Sequence, residues 1–171
     1  MIYKILLLTM LLLLGNSIFG QKLFLNNGEF KETDCSDKYG FQNDNGKFVI
    51  KPNYDDAREF SEGLAAVRLG DKYDDDCLLI ERGKYGFINS KGKTVIPFQF
   101  EHVYSFKEGL AMVVTSENKV GYINKKGEWK IKPIYEDGSS FYGGFAEVQL
   151  NGEFYFINKE GQKSKIYIEQ E

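Results

Sequence analysis

The sequence predicts an all-β protein built from tandem three-stranded antiparallel meanders, arranged as a stacked array or a propeller-like ring. Three observations carry that expectation. A Lys-aromatic-Gly-aromatic block recurs along the chain, a glycine-closed turn follows each copy of it, and the segments after a second recurring block alternate apolar and polar residues. Composition agrees: 14 Phe, 11 Tyr and 18 Gly against 3 Pro favour strands separated by glycine turns.

The first twenty residues stand apart from the fold. Met1 to Lys4 is a short basic head, Ile5 to Leu14 is almost wholly apolar, and Gly15-Asn16-Ser17 breaks the run before Gly20. That order is the grammar of a secretory signal peptide, cleaved after Gly20. The apolar run is about half the roughly 20 residues a membrane span needs. No later segment is long and apolar enough to span, so the mature chain is expected to be secreted or periplasmic, without a membrane span. Residues 21–37 form an N-terminal strand segment in which Leu23-Phe24-Leu25 resembles the third strand of a preceding copy.

The repeats begin at residue 38. Lys38-Tyr39-Gly40-Phe41 returns as Lys84-Tyr85-Gly86-Phe87 and Lys119-Val120-Gly121-Tyr122, and more distantly as Glu153-Phe154-Tyr155-Phe156. Each copy is followed by a four-residue turn from Asn to Gly, closing at Gly46, Gly92, Gly127 and Gly161. Asn accepts hydrogen bonds from the turn backbone, and glycine adopts the left-handed conformation without a Cβ clash. A second block reads Phe60-Ser61-Glu62-Gly63-Leu64-Ala65, Phe106-Lys107-Glu108-Gly109-Leu110-Ala111 and Phe141-Tyr142-Gly143-Gly144-Phe145-Ala146. Its glycine follows the turn glycine by 17 positions in all three complete copies. The strand after it alternates: Ala146, Val148 and Leu150 point one way, Glu147 and Gln149 the other, and the same register sends Arg68 outward in copy one. Met112 interrupts the alternation in copy two.

Gly40, Gly86 and Gly121 lie 46 and 35 positions apart, so copy one carries an insertion of about 11 residues, placed at residues 71–83. The copies are residues 38–83, 84–118, 119–152 and a partial 153–171. A single meander leaves one apolar face bare, so neighbours must stack.

These blocks resemble the bacterial WG-repeat proteins, in which a Trp-Gly pair opens each copy. The likeness rests on Lys84-Tyr85-Gly86-Phe87-Ile88-Asn89, on Val95-Ile96-Pro97 and on Phe106 to Ala111, and it spans residues 38–168. Tyr39, Tyr85, Val120 and Phe154 stand where the family prefers Trp, and Tyr155 replaces the fourth Gly. The resemblance implies an exported all-β repeat array and transfers no catalytic residues.

Function is less legible. The net charge of −3 is spread over both signs, without the basic stripe a nucleic-acid binder needs. Cys35 and Cys77, outside the repeated blocks, suit a disulfide in an exported chain, closing a loop whose entropy is worth about 4 kcal/mol. The only histidine, His102, takes a position held by Asp56 and Asp137 in other copies, and it is expected to be a solvated connector. Asp71, Asp74, Asp75 and Asp76 lack the ordered spacing of a calcium loop and suit a solvated, charged insertion better. Glu62 and Glu108 resemble a hydrolytic carboxylate pair only superficially, because Gly143 replaces them in copy three. No cofactor is expected. The chain is expected to be a non-enzymatic module that binds a protein partner, with a carbohydrate or cell-wall ligand as the alternative. Tyr73, Asp74, Asp75, Asp76, Tyr104 and Tyr142 are the candidate contact residues, and the insertion is the favoured specificity element.

Overall fold

Glycine and asparagine set the local geometry of every long hairpin. Asn43, Asn89, Asn124 and Asn158 each accept backbone N–H bonds two and four residues on, at 2.9–3.1 Å. The glycine three positions after each asparagine has φ between 74° and 82°. A computed structural model describes residues 38–164 and the backbone of residues 22–25. Residues 1–20, where the signal peptide is expected, lie outside the described residues, as do Cys35 and residues 165–171.

The described chain is all β. The first sheet orders β1 (Lys22–Leu25), β2 (Tyr39–Gln42) and β3 (Phe48–Tyr54). The second orders β4 (Asp56–Ala57), β5 (Leu64–Leu69), β8 (Lys84–Asn89) and β9 (Thr94–Phe100). The third orders β10 (His102–Val103), β11 (Leu110–Val114), β12 (Val120–Asn124) and β13 (Trp129–Tyr135). The fourth orders β14 (Asp137–Gly138), β15 (Phe145–Leu150) and β16 (Glu153–Asn158). Between β5 and β8 a separate hairpin pairs β6 (Lys72–Tyr73) with β7 (Leu79–Glu81).

The meanders are antiparallel and their main strands three-stranded, as expected, but each straddles two sequence copies. The third strand of one copy pairs with the opening hairpin of the next: β5 with β8, β11 with β12, β15 with β16. The N-terminal strand β1 takes the same place beside β2, with Leu25 opposite Tyr39. Each copy is thereby tied to its neighbour by backbone hydrogen bonds as well as by packing.

Three apolar layers separate the four sheets. Phe41, Ile50 and Tyr54 of the first sheet meet Ala65, Val67 and Ile88 of the second. Phe87 and Ile96 of the second meet Ala111, Val113 and Ile123 of the third. Met112, Tyr122 and Ile131 of the third meet Ala146, Val148 and Ile157 of the fourth. The two middle sheets are therefore covered on both faces. Met112 does not point into solvent, as simple alternation implies; it is buried in the layer opposite Ala111.

A ring pair repeats in every layer. Phe41 meets Phe60 at 4.8 Å, Phe87 meets Phe106 at 4.9 Å and Tyr122 meets Phe141 at 5.0 Å between centroids. The first member lies on an opening strand, the second on the turn of the sheet that covers it. Tilted pairs of this kind contribute about 0.5–1.5 kcal/mol beyond area burial.

The glycine of the opening block has a different task from the turn glycines. Two steps along β8, from Tyr85 to Phe87, oppose four steps along β9, from Phe100 to Ile96. The same two-for-four register occurs in β2/β3 and β12/β13. The surplus bulges over the glycine: a Cβ on Gly40, Gly86 or Gly121 would meet strand backbone at 2.6, 2.6 or 2.8 Å. The three prolines of the chain, Pro52, Pro97 and Pro133, all lie in these bulges. Proline is tolerated on an edge strand and bars another strand from adding there.

Candidate functional site

Gly70 and Gly83 bring the two ends of the insertion together. A Cβ on Gly83 would lie 2.2 Å from the Leu69 carbonyl oxygen, so only glycine allows this approach. Asp71 then locks the neck. Its buried carboxylate, 1% exposed, accepts the Gly83 N–H at 2.7 Å, Arg68 Nη2 at 3.0 Å and the Tyr73 hydroxyl at 3.4 Å. Its own N–H donates to Asp55 Oδ2 at 2.9 Å, and Asp55 also pairs with Lys38. Burial pushes the Asp55 carboxyl upward, but Lys38 and the N–H groups of Asp71 and Gly70 outweigh it and hold the group below its ordinary range.

A second row of contacts supports the lock. Arg68 lies over the Tyr85 ring at 5.4 Å and donates to its hydroxyl at 3.2 Å, while that hydroxyl donates to Asp56. Burial and the Asp56 carboxylate together raise the Tyr85 pKa, keeping a donor in place. Arg58 Nη2 sits 3.2 Å from His102 Nε2 and lies over Tyr104 at 5.3 Å. His102 also meets Tyr85 and Tyr104 edge-on, at 5.5 and 5.2 Å. Burial, then the neighbouring Arg58 charge, depress the His102 pKa, so the neutral ring accepts from the guanidinium.

His102 is thus a half-buried member of a polar cluster, not a solvated connector. Arg68 is likewise turned in and ion-paired: it shares the face of Leu64 and Ala66, which the third sheet covers, and Asp71 of the insertion meets its guanidinium. Arg58, Arg68, Asp55 and Asp56 belong to this candidate site, and periodicity missed them. The sequence signals for them were the Asp55-Asp56 doublet and the glycines flanking the insertion.

Above the neck the insertion is a two-stranded finger. Lys72 pairs with Glu81 across it. Asp74 closes its tip as the asparagines close the long hairpins, accepting the N–H groups of Asp76 at 3.1 Å and Leu78 at 2.8 Å. Cys77 takes the turn-glycine place with φ of 61°, a conformation that costs a non-glycine residue roughly 1–2 kcal/mol. Residues 74–82 are all exposed, among them Leu78 at 64%, Leu79, and Ile80 at 66%.

The six candidate contact residues fall in three places. Tyr73 is half-buried on the finger, tied to Asp71; Asp74 serves the turn; Asp75 and Asp76 are exposed at the tip. Tyr104 lies at the surface beside the lock. Tyr142 is 89% exposed, but it belongs to the turn leading into the fourth sheet, two sheets further along. The recurring glutamates are staples. Glu62 accepts the Gly109 N–H at 3.1 Å and pairs with Lys125 at 3.0 Å, while Glu108 accepts the Gly144 N–H at 3.0 Å and pairs with Lys159 at 3.0 Å. Among the described residues no three His, Cys, Asp or Glu side chains converge as a metal site, and no helix is long and apolar enough to cross a membrane.

A stack of antiparallel sheets, each joining two successive copies, defines this chain as a β-repeat protein. The family model described as WG containing repeat matches residues 39–73, 85–119 and 121–154, and the chain belongs to that family. Neither a curated protein nor a solved structure matches it.

Proposed function

We propose that the chain is an exported, non-enzymatic binding module that captures a protein partner through the finger formed by residues 71–83. The observation that carries this reading is the finger itself: three consecutive aliphatic residues held in water on a neck fixed by a buried carboxylate. Exposed aliphatics on a pre-organised element bury apolar area on docking at little cost in ordering. The polar cluster at the base supports a structural reading over catalysis, since Asp71, Asp56, Arg68, Tyr85, Arg58 and His102 spend their contacts on one another. The carbohydrate alternative is weaker, because Arg58 covers a face of the Tyr104 ring and Tyr142 stands two sheets away.

The test is capture from envelope extract by the immobilised protein. Replacing Leu78 and Ile80 together with Ser is expected to reduce capture at least tenfold while leaving the thermal transition in place. Retained capture by that variant, or equal binding to a polysaccharide panel, would reverse the reading.

Export carries its own expectation. Intact mass of the exported protein should correspond to a chain beginning at Gln21, and peptide mapping without reductant should recover Cys35 joined to Cys77. Both thiols blocked by alkylation without reduction would exclude the pair.

A further inference from the structure

We propose that the contact between Arg58 and His102 is an acid-sensitive latch between the second and third sheets, closed while the imidazole is neutral and released when it takes a proton. The two side chains come from different sheets. Arg58 follows β4 at one edge of the second sheet, His102 opens β10 at one edge of the third, and Arg58 Nη2 lies 3.2 Å from His102 Nε2. Among the described residues no ion pair reaches Arg58: Asp55 is taken by Lys38, and Asp56 and Asp71 by Arg68. The Arg58 Nε is buried without a partner. The guanidinium is therefore held by the imidazole lone pair and by the face of the Tyr104 ring.

Protonation turns that acceptor into a second cation. From the second sheet His102 is faced by Arg58, Arg68 and Asp56, with the Tyr85 ring at 5.5 Å. From the finger it is faced by Arg82, and from its own sheet by the Tyr104 ring at 5.2 Å. The adjacent Glu101 is paired with Lys84. Asp56 is the one carboxylate in this set, and it already accepts the Tyr85 hydroxyl and pairs with Arg68 at 3.8 Å. Burial and the Arg58 charge hold the His102 pKa below its ordinary value of 6.5, so the unfolded chain takes the proton first as pH falls. The stability of the neutral contact is present above pH 6.5 and is lost as pH drops from there towards the folded-state pKa. The chain has a single histidine, which confines the response to this junction. In the other copies Asp56 and Asp137 hold the same position, each accepting the N–H of the next residue.

As the only histidine, His102 has ring resonances that report the latch alone. Their titration by NMR is expected to place the pKa below 6.5, and Arg58→Met, which removes the facing cation, should move it upward. Between pH 7.5 and 5.5 the thermal midpoint of the unaltered chain should fall by about 2–4 °C more than that of His102→Gln, whose amide oxygen accepts from Arg58 without taking a proton. His102→Asp, which carries over the residue of the other copies, gives Arg58 a carboxylate and should likewise remove the extra fall. A His102 pKa at or above 6.5, a pKa unmoved by Arg58→Met, or parallel midpoint curves for the unaltered chain and His102→Gln would each overturn the proposal.

Discussion

Gly86→Ala is expected to destabilise the protein by about 3 kcal/mol, lowering its thermal midpoint by roughly 10 °C. The added Cβ would sit 2.6 Å from the Ile96 carbonyl oxygen and 3.0 Å from the Phe98 nitrogen, both backbone atoms of the proline bulge. Side chains swing away from such a clash, but a bulge pinned by Pro97 and by the pairs Tyr85–Phe100 and Phe87–Ile96 has nowhere to go. Gly109→Ala makes the contrast. Gly109 has φ of 86° and open space around its missing Cβ, so the cost is left-handed strain alone, roughly 1–2 kcal/mol. Two calorimetric midpoints decide the matter. Equal losses in the two variants would show that the opening glycine serves conformation and not the close approach of the bulge.

The same glycine shows where sequence reasoning reaches and where it stops. The Asn-to-Gly turns were legible because asparagine and glycine act locally, through hydrogen bonds and φ values confined to four residues. The opening glycine was legible as a recurring letter, but its reason lies in a partner strand that bulges over it, a non-local fact. Sheet phasing was hidden for the same reason: β5 pairs with the hairpin of the following copy, and backbone pairing leaves no mark on residue identity. Alternation failed at Arg68 and Met112 because it presumes one wet face, whereas the middle sheets have none. At β15 the presumption holds, and there Ala146 and Val148 are buried while Glu147 is exposed, as the pattern predicts. In copy four Tyr155 replaces the opening glycine, and the sequence after Gly161 contains no proline.

For the candidate site, insertion boundaries were legible from the spacing of the copies, but the lock was not, because its members are scattered over Asp55, Arg68, Asp71 and Gly83. That lock is the point at which stability and function should part. Asp71→Ala removes the acceptor of three donors and leaves the Arg68 charge in a site where its side chain is 11% exposed, with Asp56 at 3.8 Å as the remaining carboxylate. Breaking a buried pair from one side costs about 3–5 kcal/mol when the orphaned charge cannot reach water. Here Arg68 has an escape, because the neck can open. The expected result is therefore local: hydrogen exchange of residues 72–82 rises sharply, partner capture falls with it, and the sheets keep their protection. Asp71→Asn keeps an oxygen for the Gly83 N–H while losing the charge that holds Arg68, so it should fall between the two. Asp75→Ala, at the exposed tip, should leave exchange at the neck untouched. Global unfolding of Asp71→Ala with uniform loss of protection would place the residue in the core of the stack. Unchanged exchange in the finger would show that Gly70 and Gly83 hold the neck without it.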